Sequence, residues 1–194
     1  MSIGIKGRLA IEISMDKKNT IELVKPHSRY QASFMAAFNE LTTDSDRISW
    51  IYMGEAGYKV FFNMSFADYV NTLLISESTP SAHFVKDTTY WAVKDDEVVG
   101  RISLRHELNE FLAKIGGHIG YIVAQSHRQQ GFAGDMLQRL LATPKAKDIG
   151  KLLLTCDENN VASEKTITKN GGIFESLISA GPGKGNKKRF WINV

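Results

Sequence analysis

His118-Ile119-Gly120-Tyr121-Ile122-Val123, followed by Arg128-Gln129-Gln130-Gly131-Phe132-Ala133-Gly134, is the stretch that decides the fold. The first block is an apolar run rich in β-branched and aromatic residues, as in a strand. The second opens a helix whose apolar positions Phe132, Met136, Leu137, Leu140 and Leu141 recur at helical spacing. A strand that turns straight into a helix with small residues at its start leaves several backbone N–H groups unpaired side by side. Gly131, Ala133 and Gly134 keep Cβ bulk away from them, and the positive end of the helix dipole favours negative charge there. The turn is therefore a candidate cradle for a pyrophosphate. It lacks the lysine-then-hydroxyl pair of a P-loop and the GxGxxG spacing of a dinucleotide fold.

Outward from this block the two periodicities alternate. Upstream, Thr20 to Val24 reads as a short strand, and Ser28 as the N-cap of a helix through Leu41 with Phe34, Ala37, Phe38 and Leu41 on one face. Trp50 to Phe62 reads as a long aromatic-rich connector that either walls an acceptor site or simply packs. The stripe Phe66, Tyr69, Val70, Leu73 and Leu74 predicts a helix from about Ser65 to Ser76. Thr88 to Lys94 and Val98 to Arg105 form an antiparallel hairpin around Asp95-Asp96-Glu97. Downstream, Pro144 ends or bends the helix, and Lys151 to Cys156 is a buried strand. Asn160 to Asn170 is a short helix stopped by Gly171-Gly172, and Ile173 to Ser179 pairs with Lys188 to Val194. The fold class is mixed α/β: a central, largely antiparallel twisted sheet flanked by helices. Residues 1–14 form an arm or edge strand, and 15–194 one domain, within the size expected of one.

Arg128-x-x-Gly131-x-Ala133, directly after Tyr121-Ile122-Val123, resembles the acyl-CoA signature of the GNAT N-acetyltransferase superfamily. The resemblance extends to Leu152-Leu153-Leu154-Thr155-Cys156, to Asn160 and Ser163 opening a helix, and to Asn170-Gly171-Gly172-Ile173-Phe174-Glu175. It implies that the pantetheine of acetyl-CoA lies along Tyr121, Ile122 and Val123. It also implies that N–H groups from Gln129, Gln130, Gly131, Phe132, Ala133 and Gly134, after Arg128, hold the pyrophosphate, with Asn160 and Ser163 alongside. The activity implied is acetyl transfer to a primary amine of an unidentified acceptor by direct attack in a ternary complex, with no metal. A main-chain N–H near Val123 would polarise the thioester carbonyl.

Two positions depart from the family pattern. A carboxylate base is common in relatives at the start of the central strand or on the next one, where this chain has Gly117 beside His118, and Thr155. His118 and Glu107 are the candidate catalytic substitutes, with His106 or a water chain behind them; a merely packed histidine is the competing reading. The tyrosine that protonates the departing thiolate in many members is replaced by Ile167, leaving solvent, Ser163 or Tyr121 for that task. The alternative function is accordingly a catalytically weak acyl-CoA-binding regulatory protein.

Composition bounds the rest. Of 194 residues, 43% are hydrophobic and 23% charged, a globular balance. No apolar run approaches the ~20 residues of a membrane span. The net charge of +3 resides in Lys184, Lys187, Lys188 and Arg189, which leaves the remainder slightly acidic and disfavours nucleic acid as a partner. One cysteine, Cys156, forms no internal disulfide and reads as buried; with no secretory signal in view, the expected address is cytoplasmic. The five histidines show no metal spacing. Gly181 to Asn186 reads as a hairpin loop, and exposed edge strands allow a homodimer.

Overall fold

The hairpin expected of Thr88 to Lys94 and Val98 to Arg105 stands at the centre of the computed structural model, which describes residues 20–80 and 84–194. The arm or edge strand expected of residues 1–14 lies outside the described residues. A short strand β1 (Glu22–Val24) leads through a single tight turn into helices α1 (Gln31–Glu40), α2 (Asp44–Ile51), α3 (Gly54–Phe61) and α4 (Phe66–Ile75). Strands β2 (Asp87–Lys94), β3 (Glu97–Arg105) and β4 (Ile119–Val123) follow, then α5 (Phe132–Leu141), α6 (Pro144–Ile149), β5 (Lys151–Asp157), α7 (Val161–Lys169), β6 (Ile173–Ser179) and β7 (Asn186–Asn193). The strands make two antiparallel sheets, ordered β1-β2-β3-β4 and β5-β7-β6. No helix among the described residues is long and apolar enough to cross a membrane.

Period-two alternation divides the first sheet between two cores. Ala92, Val99, Ile102, Leu104, Ile119 and Val123 face α5, α7 and the second sheet, where Phe132, Met136, Leu137 and Ile167 are buried. Trp91, Val93, Val98 and Ile122 face α1 to α4, whose aromatic residues Phe34, Trp50, Phe66 and Tyr69 interlock around Trp91.

The structure corrects three sequence expectations. The connector from Trp50 to Phe62 is not a loop: it holds the end of α2 and all of α3, joined at Tyr52 in the left-handed conformation with φ 61°. Helix α1 begins later than expected, because His27, not Ser28, caps the preceding turn by accepting the Arg29 N–H at 3.1 Å. Pro144 neither ends nor bends α5, which stops at Leu141; it opens α6 at a first-turn position, where its missing N–H costs nothing.

The two sheets touch at one point and then diverge. Gly117, at φ +65°, turns the chain so that the His118 N–H donates to Leu153 O at 2.7 Å while the Leu153 N–H donates to His118 Nδ1 at 2.9 Å. A Cβ on Gly117 would stand 2.6 Å from Leu153 O, so only glycine fits this junction. Beyond it β4 and β5 are both edge strands with their open sides towards a wedge.

Candidate active site

The register of β3 and β4 sets which way the edge of β4 points. The Ala124 N–H donates to Val99 O across β3, so by two-residue alternation the backbone groups of Tyr121 and Val123 turn to the opposite, open side. The strand then runs through Gln125–His127 to Gln129, at φ 62°, and Gly131, at φ +89°, which is the N-cap of α5. The backbone N–H groups from Gln129 to Ala133 have no acceptor within the described residues; the first used are those of Gly134 and Asp135, both donating to Gly131 O. A Cβ on Gly131 would meet nothing within 4 Å. A cavity of about 610 Å³ lies beside this turn, between α5 and α7, with Arg139, Lys165 and Lys169 on its wall. Clustered free donors, a helix N-terminus and nearby cations suit an anion and make this turn the candidate phosphate cradle.

Other residues singled out in the sequence take defined places. Arg128 is turned from the cradle: its Nη2 donates to Asp46 at 3.0 Å and its Nε to Val123 O at 3.3 Å, bracing α2 against the strand end. Ile122 and Phe132 bury their side chains in the two cores; the Ile122 backbone groups turn to Arg101 of β3, and Phe132 contributes only its backbone N–H to the turn. Asn160 caps α7 by accepting the Ser163 N–H at 2.9 Å. The Ser163 hydroxyl meets the Tyr121 phenol at 2.8 Å, a side-chain link across the open wedge from β4 to α7. Burial holds the Tyr121 phenol above its ordinary pKa, against the opposing pull of the Ser163 hydrogen bond, so it stays a proton donor. Ile167, by contrast, is fully buried in the core.

His118 is 6% exposed, and its Nδ1 is occupied by Leu153. Burial first, and the nearby Arg105 charge second, lower its pKa to about 4. Both facts describe a structural clamp between the sheets and a weak proton acceptor. Glu107 is exposed and stands outside the cavities described here. His106 bonds Thr88 Oγ1 at 2.8 Å, and the Thr155 hydroxyl is occupied by Ile115 O at 2.8 Å. Cys156 is buried, with its thiol pushed up by desolvation. The basic residues of the last strand are matched: Lys187 with Asp157 at 2.6 Å, Lys188 with Glu164 at 2.7 Å, and Arg189 with Glu175.

On the other face of the first sheet, a cavity of about 410 Å³ opens between the strands and α2 and α4, and reaches β4 at Gly120 and Tyr121. Its floor carries three ionisable side chains that sequence reading missed or left open: Asp87 on β2, and Arg101 and Arg105 on β3. Asp87 and Arg105 are cross-strand partners, and Arg101 stands two alternations along the same face. Burial raises the Asp87 carboxyl pKa, with Arg105 and Arg101 opposing. Desolvation lowers the Arg101 guanidinium to about 10, leaving it charged at neutral pH. The available signal was a polar residue at alternate positions of an otherwise buried strand pair, Asp87-x-Thr89 and Arg101-x-Ser103-x-Arg105. The expected acceptor wall is divided: Tyr52, Met53 and Gly54 line this cavity, while Trp50 and Phe61 belong to the core.

Comparison with known proteins identifies the family and the fold. The acetyltransferase (GNAT) domain matches residues 34–173. No curated protein matches the sequence. Among solved structures, a microcin C7 self-immunity acetyltransferase in complex with acetyl-CoA and AMP superposes with a TM-score of 0.61 at 14% identity, covering 92% of this chain and 94% of the other. An acetyltransferase from Salmonella typhimurium that modifies the N-terminal serine of ribosomal protein L7/L12 gives 0.61 at 16%, over 92% and 97%. A chimera of the Vibrio cholerae spermidine N-acetyltransferase gives 0.57 at 16%, over 90% and 96%. At these identities the likeness speaks for the fold.

Proposed function

The chain belongs to the GNAT acetyltransferase family, and from that membership we propose that it moves an acetyl group from acetyl-CoA to a primary amine, in the cytoplasm, by direct attack in a ternary complex. One observation carries the reading: an open strand edge at Tyr121 and Val123 runs into five N–H groups at the start of α5 that have no acceptor among the described residues, with a separate cavity at the same strand. The pantetheine would add to the β4 edge, and the N–H groups from Gln129 to Ala133 would hold the pyrophosphate. Asn160 and Ser163 would line the far side of the wedge, and the amine would enter from the Asp87 cavity.

In the reaction an N–C bond forms to the acetyl carbon and the C–S bond breaks, with one proton leaving the amine and one reaching the sulfur. An alkyl ammonium with a pKa near ~10 is neutral about once in a thousand at pH 7, so assistance is worth roughly 4 kcal/mol. Asp87 is the carboxylate that faces the acceptor cavity, and we assign it the amine's proton. The charges of Arg101 and Arg105 further disfavour the ammonium form. Tyr121 is the candidate donor to sulfur, taking over from the missing tyrosine at Ile167.

The regulatory reading retains one support, the burial of Ile167 where many relatives place the acid. Thiol release from acetyl-CoA with a mixed pool of primary amines separates the two. Amine-dependent release is expected; tight acetyl-CoA binding with no release above hydrolysis would favour the regulatory protein.

A further inference from the structure

We infer that the acceptor carries an oxyanion next to its amine, as a free amino acid does, so that the cavity beside β4 receives a zwitterion. The inference rests on the acetyl-transfer reading for the role of the cavity, but its argument comes from the charges on the floor. Asp87 is 9% and Arg101 2% exposed, and Arg105 is half-buried. Among the described residues neither arginine forms an ion pair with Asp87 or any other carboxylate within 4 Å. Their hydrogen bonds go to neutral groups: Arg101 to Ser49 O at 3.0 and 2.6 Å and to the Ser103 hydroxyl at 3.2 Å, Arg105 to Gly116 O and Gly117 O at 3.2 and 3.0 Å. A neutral amide could serve those acceptors without the cost of burying a cation, so tying loops to the sheet does not account for two guanidinium groups here.

Arg105 leaves a specific feature unused. Both of its bonds come from Nη1, so the edge formed by Nε and Nη2 has no acceptor among the described residues. Nη2 lies 3.8 Å from the position a Cβ would take on Gly120, where the cavity meets β4. Two parallel N–H donors on a planar edge match a carboxylate or a phosphate. Tyr52 fixes the pair from above, its ring 3.9 Å from the Arg101 guanidinium and 5.5 Å from that of Arg105, in a left-handed conformation that is costly for a bulky residue. Asp87, directly across the ladder from Arg105, supplies the complementary end for the amine. Two cations to one anion on the floor leave an excess positive charge that an anionic group offsets and a polyamine aggravates. The volume, about 410 Å³, suits a small molecule. The N-terminus of a peptide offers the amine without the adjacent oxyanion.

Matched amines test this with two readouts. Protein saturated with CoA is titrated calorimetrically with phenylalanine and phenylalaninamide, and with aminoethyl phosphate and ethanolamine. The same four compounds are then compared as acceptors by thiol release from acetyl-CoA. We expect one anionic member to bind and react on the order of tenfold better than its neutral partner, and the pair that shows it distinguishes carboxylate from phosphate. Arg105→Met should collapse that ratio towards one. Preferential binding of an anionic member that Arg105→Met abolishes, without thiol release, would uphold the oxyanion site and overturn acetyl transfer. Thiol release that favours the neutral members would leave acetyl transfer standing and overturn the inference, as would the absence of preferential anion binding or an Arg105→Met protein with an unchanged ratio.

Discussion

At the scale of single residues, the chemistry depends on where burial puts charge. Asp87 was hidden in the sequence because it precedes an apolar strand and reads as a polar strand end; the fold gives it a cross-strand arginine and a cavity. If Asp87 takes the amine's proton, Asp87→Asn lowers kcat/KM by roughly 10²–10⁴-fold at pH 7, with partial recovery at high pH where the amine is already neutral. Full activity of that variant at pH 7 would exclude the role. Tyr121→Phe is expected to lower kcat by roughly 10–100-fold while leaving acetyl-CoA affinity unchanged, since the phenol acts on the departing sulfur and the ring is retained. Affinity loss without a change in kcat would reassign Tyr121 to binding alone. His118 has the opposite character. Its folded pKa of about 4 lies below the ordinary 6.5, so as pH falls below about 6.5 the unfolded chain takes up a proton that the folded one refuses. Its effect is therefore nil above about 6.5, destabilises the fold increasingly as pH falls from about 6.5 to about 4, and levels off below that. His118→Asn, which keeps an acceptor for Leu153, should narrow the loss of Tm between pH 7 and pH 4.5 and leave the shape of the pH–rate profile intact. Disappearance of the profile's acid limb would instead identify His118 as the base.

At the scale of elements, strong periodicity was legible and aromatic density was misleading. Helices α1, α4, α5 and α7 followed from apolar spacing, though the cap expected of α1 was misplaced, and the hairpin of β2 and β3 from its strand residues around an acidic turn. α3 was missed because Gly54, Gly57 and its aromatic residues are weak helix formers; tertiary packing of Phe61 and Tyr58 against Phe38 outweighs that preference. The wedge depends on one junction, and the junction on one glycine. Gly117→Ala would place a methyl 2.6 Å from Leu153 O and force φ +65° on an alanine, costing roughly 2–4 kcal/mol. Chemical denaturation of wild type and variant measures this directly, and a difference below about 0.5 kcal/mol would show that β4 and β5 meet differently.

For the whole molecule, the family was readable because strand, turn and helix start lie next to one another in sequence, and the same contiguity marks the half of the site proposed to hold the donor. The acceptor half was not, because its floor comes from β2 and β3 and its walls from α2 and α4, segments that only folding brings together. The two cores separate these tasks. One holds α5 and α7 around the wedge, and the other fixes α1 to α4 above the cavity proposed to receive the acceptor. The central claim is that the turn from Gln129 to Ala133 binds the phosphates of acetyl-CoA. Gly131→Glu adds bulk and like charge at a position with open space around it, at a conformational cost of about 1 kcal/mol, so the fold should survive. The deciding measurement is calorimetric titration of acetyl-CoA into wild type and Gly131→Glu, with thermal melting of both to verify folding. The account predicts one saturable site in the wild type and none in the folded variant; a wild type that does not bind, or a variant that binds equally well, would contradict it.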